Sequence, residues 1–182
     1  MTDNKRIFTG IKRFYLRKSI KSSHRTKKVH NLSTARSVGL LFRFDELSDY
    51  EEIQAIVKRL QDRHLDVKVL GFVNNKHVTS HFLPVLSFDF FYSSKFSLLG
   101  YKSSQKVKDF IEKPFDICID LTDQHCFPLM YIMSRSNAHF KIGKFSQEFK
   151  DIYDFMIELN EEYNPTDTFQ QVEYYLNILK PA

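Results

Sequence analysis

The order of apolar segments between residues 38 and 73 constrains the fold of this chain more than any other feature. Val38-Gly39-Leu40-Leu41-Phe42 is a continuous apolar run, the pattern of a strand covered on both faces. Ser48 and Glu51 stand at capping-box spacing ahead of Ile53, Ile56, Val57 and Leu60, which predicts a helix over about 49–63. A second apolar segment, Val67 to Val73, then reads as a strand. Two strands joined by a helix are the signature of a parallel βαβ unit, because a parallel pair needs a crossover of a dozen or more residues.

The pattern continues downstream. Val107, Phe110 and Ile111 predict a short helix closed by Pro114, Phe115 to Leu121 a strand, Phe127 to Ser134 a helix, and Ala138 to Ile142 a further strand. Residues 149–159 fit both periodicities. Phe149, Ile152, Tyr153 and Met156 suit a helix, whereas the β-branched and aromatic content favours a strand over 153–159. Thr168, boxed with Gln171, opens a last helix that buries Phe169, Val172, Leu176 and Leu179. Between them, residues 74–100 hold the Asn74-Asn75 turn signal, then aromatic-rich segments interrupted by Pro84 that suit short strands or packed loop. A chain of 182 residues matches one domain. The expected architecture is an α/β, three-layer Rossmann-like sandwich over residues 36–182, with about five mostly parallel strands and helices on both faces. Its 42% hydrophobic and 15% aromatic content excludes a disordered chain.

The charge is unevenly placed. Residues 1–30 hold ten Lys and Arg against Asp3 alone, a net of +9, so the remainder carries −4 of the chain's +5. Over residues 5–20 a helical projection puts Ile7, Phe8, Ile11, Phe14 and Tyr15 on one arc, with Lys5, Arg6, Lys12, Arg13 and Arg17 opposite. Lys18 falls within the apolar arc and Leu16 on the polar side. Residues 1–35 thus read as a basic arm with an amphipathic helix, and Ser19 to Asn31, polar and without periodicity, as a flexible link. Such an arm seeks an anionic surface, nucleic acid or lipid headgroups, or docks on the acidic domain of its own chain.

The two cysteines, Cys118 and Cys126, lie in core-like segments and imply no disulfide framework. Without a run of about 20 apolar residues or a secretory leader, the expected location is cytoplasmic. The Arg-, Lys- and Ser-rich arm also has the composition of an organelle transit peptide.

Three runs, SVGLLFRF at Ser37–Phe44, FDICIDLT at Phe115–Thr122 and SNAHFKIGKF at Ser136–Phe145, resemble a family of small bacterial α/β proteins of unknown function. The resemblance covers most of residues 36–180. Phe115-Asp116, three apolar residues and Asp120, followed by a helix and Ala138-x-Phe140-Lys141-Ile142-Gly143, is also similar to the N-terminal Rossmann-like half of heptosyltransferase-type sugar transferases. Both resemblances imply the fold. The transferases hold their sugar nucleotide with a second Rossmann-like domain, so no catalytic residue carries over.

Candidate chemistry is sparse. Asp116 stands at the start of a predicted strand and Asp120 and Asp123 at its carboxyl end, where open α/β sheets bind ligands. Asp120, Asp123 and His125 are therefore the candidate small-molecule or sugar-nucleotide site, although Asp at a strand end more often caps the next helix or faces water. Cys126 beside His125 suggests a thiolate–imidazole pair, but sequence neighbours point different ways, and a buried structural thiol is the better reading. His77 and His81 have i, i+4 spacing without a helix or a third ligand and read as surface residues. The five glycines are too far apart for a dinucleotide or Walker loop, and G-x-S-x-G and paired C-x-x-C are absent. No cofactor, metal set or catalytic motif is expected.

What remains is the arm. Arg6, Lys12, Arg13, Arg17, Lys18, Lys21, Arg25, Lys27 and Lys28 interleave with Phe8, Phe14 and Tyr15, a composition in which cations meet phosphates and rings stack on unpaired bases. The expected function is a non-enzymatic RNA- or ribosome-associated accessory protein. The alternatives are the small-molecule site above and peripheral attachment to an anionic membrane.

Overall fold

The computed structural model describes residues 14–20, 25–73, 87–92, 104–122, 126–147, 149–158 and 164–180. At its centre lies β1 (Ser37–Phe44), paired in parallel with β2 (Asp66–Val73) on one side and β4 (Ile117–Asp120) on the other. β3 (Phe88–Tyr92) extends the sheet beyond β2, and β5 (Phe140–Lys144) and β6 (Phe155–Ile157) extend it beyond β4. The order β3-β2-β1-β4-β5-β6, with every pair parallel, is that of a doubly wound Rossmann-like sheet. It has six strands rather than about five. The extra one, β3, lies in the aromatic-rich segment that also suited loop.

The continuous apolar run of β1 is explained by its two covered faces. Val38, Leu40, Phe42 and Phe44 enter one core and Leu41 the other. α2 (Leu47–Gln61) and α5 (Pro165–Ile178) cover the first face through Ile53, Val57, Leu60, Phe169 and Leu176. Glu173 of α5, 4% exposed, accepts from Arg59 of α2 and pairs with Arg63 in the turn just beyond it, which locks the two helices together. α3 (Gln105–Glu112), α4 (Phe127–Arg135) and α1 (residues 14–20) cover the second face.

Two helix starts differ from the sequence expectation. At α2 the cap is Glu46, not Ser48, and the Asp49 carboxylate accepts the N–H groups of Asp45 and Glu46 at 2.8 Å each. At α5, Asn164 caps by accepting from the Asp167 N–H, and Pro165 supplies a pre-set φ at the first position. Thr168 therefore lies inside the helix, buried. Among the described residues 153–158, Phe155–Ile157 is strand.

The N-terminal segment is packed where a flexible link was expected. Leu32 and Ala35 join the first core, the Lys28 N–H donates to the His139 carbonyl at 3.2 Å, and Arg25 donates to the carbonyls of Ala138 and His139. α1 turns inward the residue that the helical projection placed outward. Leu16 is 3% exposed in the second core, whereas Phe14 is 63% exposed. Ser19 fixes this orientation by bonding the Ser134 hydroxyl of α4. Among the described residues, no helix is long and apolar enough to cross a membrane.

The sheet leaves no room at Gly71. A Cβ there would run into the Phe44 ring and lie 3.0 Å from Phe90 Cδ1. Gly71→Ala is expected to destabilise by about 1–3 kcal/mol through overpacking, read as a lower urea midpoint at unchanged slope. A change below about 0.5 kcal/mol would mean that the Phe44 ring yields freely.

Candidate functional site

In a sheet of this order the connections reverse between β1 and β4, and the crevice at their carboxyl ends is where ligands bind in open α/β folds. Asp120 stands there, 5% exposed, but its carboxylate is engaged within the fold. Oδ1 accepts the N–H and hydroxyl of Thr122, and Oδ2 accepts the Tyr153 hydroxyl at 2.8 Å. Burial, with the Asp120 carboxylate beside it, raises the Tyr153 phenol well above its ordinary value, so the hydroxyl remains a donor. Asp120 is thus a structural anchor rather than an open ligand. Its proposed companions Asp123 and His125 lie outside the described residues, as do His77 and His81.

Neither cysteine is a nucleophile in waiting. Burial pushes the Cys118 and Cys126 thiols up to about 12, so both stay protonated at neutral pH.

The basic residues divide into two groups. Arg25 is drawn into the domain, its side chain 6% exposed and its guanidinium bidentate on Asp154 at 2.6 Å to each oxygen. A cation held by carbonyls and a carboxylate has little left to offer an external anion. Lys27 lies 3.3 Å from the same carboxylate with most of its side chain in solvent. Arg17, Lys18 and Lys28 are exposed and form no ion pair among the described residues. Arg6, Lys12, Arg13 and Lys21 lie outside those residues.

Behind Arg25, Lys141 of β5 is buried to 1% exposure and donates to the Ser134 carbonyl at 3.3 Å. Burial lowers its amine to about 7, helped by the adjacent Arg25 guanidinium. Lys141 also lines a cavity of about 90 Å³, together with Arg25, Lys27, Asp151 and Ile152.

The amino edge of the sheet assembles a group that the sequence did not suggest. Asp116, just before β4, extends Oδ1 toward His30 Nε2 at 3.7 Å and His139 Nδ1 at 3.6 Å. Its Oδ2 accepts the backbone N–H of Arg36 at 2.7 Å and of Ser37 at 3.2 Å. Burial opposes ionisation of Asp116, but these N–H groups and the two imidazoles outweigh it and hold the carboxyl below the usual range. The imidazoles are stacked, with centroids 5.8 Å apart and planes inclined by 19°. Burial lowers the basicity of His30, while the Asp116 carboxylate opposes that shift. The Thr34 carbonyl weakly favours protonation, yet neither His30 nitrogen meets hydrogen-bond geometry. No spacing in the chain marks this set, since the packed N-terminal segment, the start of β4 and the start of β5 each supply one member.

Comparison with known proteins adds a family and one structural likeness. A model described as a family of unknown function, DUF6913, matches residues 11–179. Among solved structures, the chain is similar to the E. coli heptosyltransferase WaaC with ADP-2-deoxy-2-fluoro heptose, at 10% identity and a TM-score of 0.45. That match covers 76% of this chain, which spans 47% of the transferase chain. No curated protein matches.

Proposed function

Because the chain belongs to DUF6913, a family of unknown function, we propose its role from the surface it displays: a non-enzymatic RNA- or ribosome-associated accessory protein. The reading rests on the orientation of α1. Leu16 and Ser19 pin that helix to the domain, so Phe14 faces solvent from a fixed position rather than from a loose tail. Tyr15 meets it edge-to-face at 5.9 Å, and Arg17 and Lys18 are exposed on the same short helix. An exposed ring flanked by cations suits unpaired bases, which stack on aromatics while Lys and Arg neutralise phosphates. Lys28 adds a further exposed cation. By sequence, Arg6, Lys12, Arg13 and Lys21 extend the same basic stretch.

The test is fluorescence anisotropy of a labelled single-stranded RNA with full-length protein across a salt series. Each phosphate neutralised on a single strand contributes about −0.7 to the slope of log K against log salt. The Arg17→Ala/Lys18→Ala variant is expected to flatten that slope by about 1.4. Phe14→Ala is expected to weaken binding by about 1–3 kcal/mol at unchanged slope. Equal RNA binding by both variants and the parent chain would sink the proposal. Sedimentation with anionic vesicles in place of RNA retention would move the same surface to a membrane role.

A further inference from the structure

We propose that His30, Asp116 and His139 form a site for a divalent transition-metal cation of the zinc type at the amino edge of the sheet. This inference is independent of the RNA-binding reading. One donor atom from each residue lies within 4.8 Å of the others, and the two nitrogens are 3.6 and 3.7 Å from the shared carboxylate oxygen. A tetrahedral centre with bonds of about 2.1 Å separates its ligands by about 3.4 Å, so small side-chain rotations close the site.

The hydrogen-bond accounts point the same way. Among the described residues, both His30 nitrogens and His139 Nδ1 are buried side-chain atoms without a hydrogen-bond partner. All three belong to this cluster. The His30 side chain is only 7% exposed, so water has little access to the nitrogens that it withdraws from solvent.

The surroundings are those of an oriented ligand set. Asp116 Oδ2 is held by the Arg36 and Ser37 N–H groups, which leaves Oδ1 aimed at the imidazoles. The His139 backbone is fixed through its N–H to Phe115 and through its carbonyl to Lys28 and Arg25. Two imidazoles and one carboxylate favour zinc-type ions over Mg²⁺ or Ca²⁺, which take oxygen donors. With three protein ligands, a remaining position is left for water on the side of His139, whose side chain is 30% exposed. Such an ion ties the segment that follows α1 to the starts of β4 and β5. Its place, opposite the crevice where α/β sheets bind substrates, assigns it a clamping role.

The test uses full-length protein stripped with a chelator and titrated with Co²⁺ by visible absorption, then with Zn²⁺ in competition and in a thermal-shift series. Expected are 1:1 Co²⁺ uptake with ligand-field bands, displacement by Zn²⁺, and a melting temperature that climbs with Zn²⁺ by mass action. Mg²⁺ is expected to give no shift. His30→Gln and His139→Gln should each weaken uptake by at least about 10-fold, whereas His64→Gln, at an exposed turn, should not. Circular dichroism checks that each variant is folded. If His30→Gln does not fold, His139→Gln, at a partly exposed position, carries the comparison. Absent 1:1 uptake by the parent protein, an equal response to Mg²⁺, or undiminished uptake by folded His139→Gln would each overturn the site.

Discussion

Replacing Lys141 with methionine is expected to stabilise the protein by about 1–4 kcal/mol near pH 7, the gain seen when a buried ionic group gives way to an apolar one of similar volume. The side chain is 1% exposed and donates to a single carbonyl, Ser134, at 3.3 Å. Burial depresses the amine to about 7. Arg25 and Lys27 add repulsion, while Cys118 and Asp154 oppose the shift. The sign for pH follows from the depressed folded value. Between about 7 and the ordinary 10.5 the unfolded chain binds a proton that the folded one does not, so stability rises with pH across that window. Below about 7 both states are protonated and the full burial penalty is present. Urea unfolding from pH 6 to 10 should show that rise in the parent protein and lose this component in Lys141→Met. A methionine variant less stable than the parent at pH 7 would mean that the amine's interactions outweigh its burial.

The same residue shows what could be read from sequence and what could not. Lys141 sits within the run Phe140-Lys141-Ile142-Gly143, which was legible as a strand because local apolar patterning determines an element's type. Its burial was not legible, since that depends on Arg25 and α4 closing over β5. β1, α2 and β2 were readable for the same local reason. β3 lies in the stretch interrupted by Pro84 that suited short strands or packed loop, and its Asp89 is compensated only in three dimensions, by Lys68 of β2 and Lys106 of α3. Asp120 was legible at the carboxyl edge, but its partner was not, because the Tyr153 hydroxyl that donates to it arrives from another part of the chain. Over the described part of α1 the projection differs at Phe14, which is exposed, and Leu16, which is buried, for a related reason. Five apolar residues over 5–20 suggested one face, yet the described helix docks through Leu16 and Ser19, as contact with Ser134 of α4 requires. The His30–Asp116–His139 group needs three separate segments to meet, which no periodicity encodes.

Asp154→Ala is expected to give the largest loss of stability, about 3–5 kcal/mol, as for a buried ion pair deprived of one partner. The carboxylate is 14% exposed and carries several bonds at once: both oxygens take Arg25, Oδ1 faces Lys27 at 3.3 Å, and Oδ2 accepts the Lys141 backbone N–H at 3.0 Å. Its loss leaves the buried guanidinium with only the carbonyls of Ala138 and His139 and leaves a strand N–H without its acceptor. It also removes one of the groups that sustain protonation of Lys141, which pushes that amine further below about 7. Asp154→Asn keeps an acceptor for the N–H while removing the charge, so it should fall between the parent and the alanine variant. Chemical unfolding of all three proteins measures the effect, and limited proteolysis around residues 25–28 reports whether the segment has lifted from the sheet. A loss within about 0.5 kcal/mol, with unchanged protease resistance, would show that the carbonyl contacts alone hold Arg25. The basic segment would then owe its position to Leu16, Leu32 and Ala35 rather than to charge.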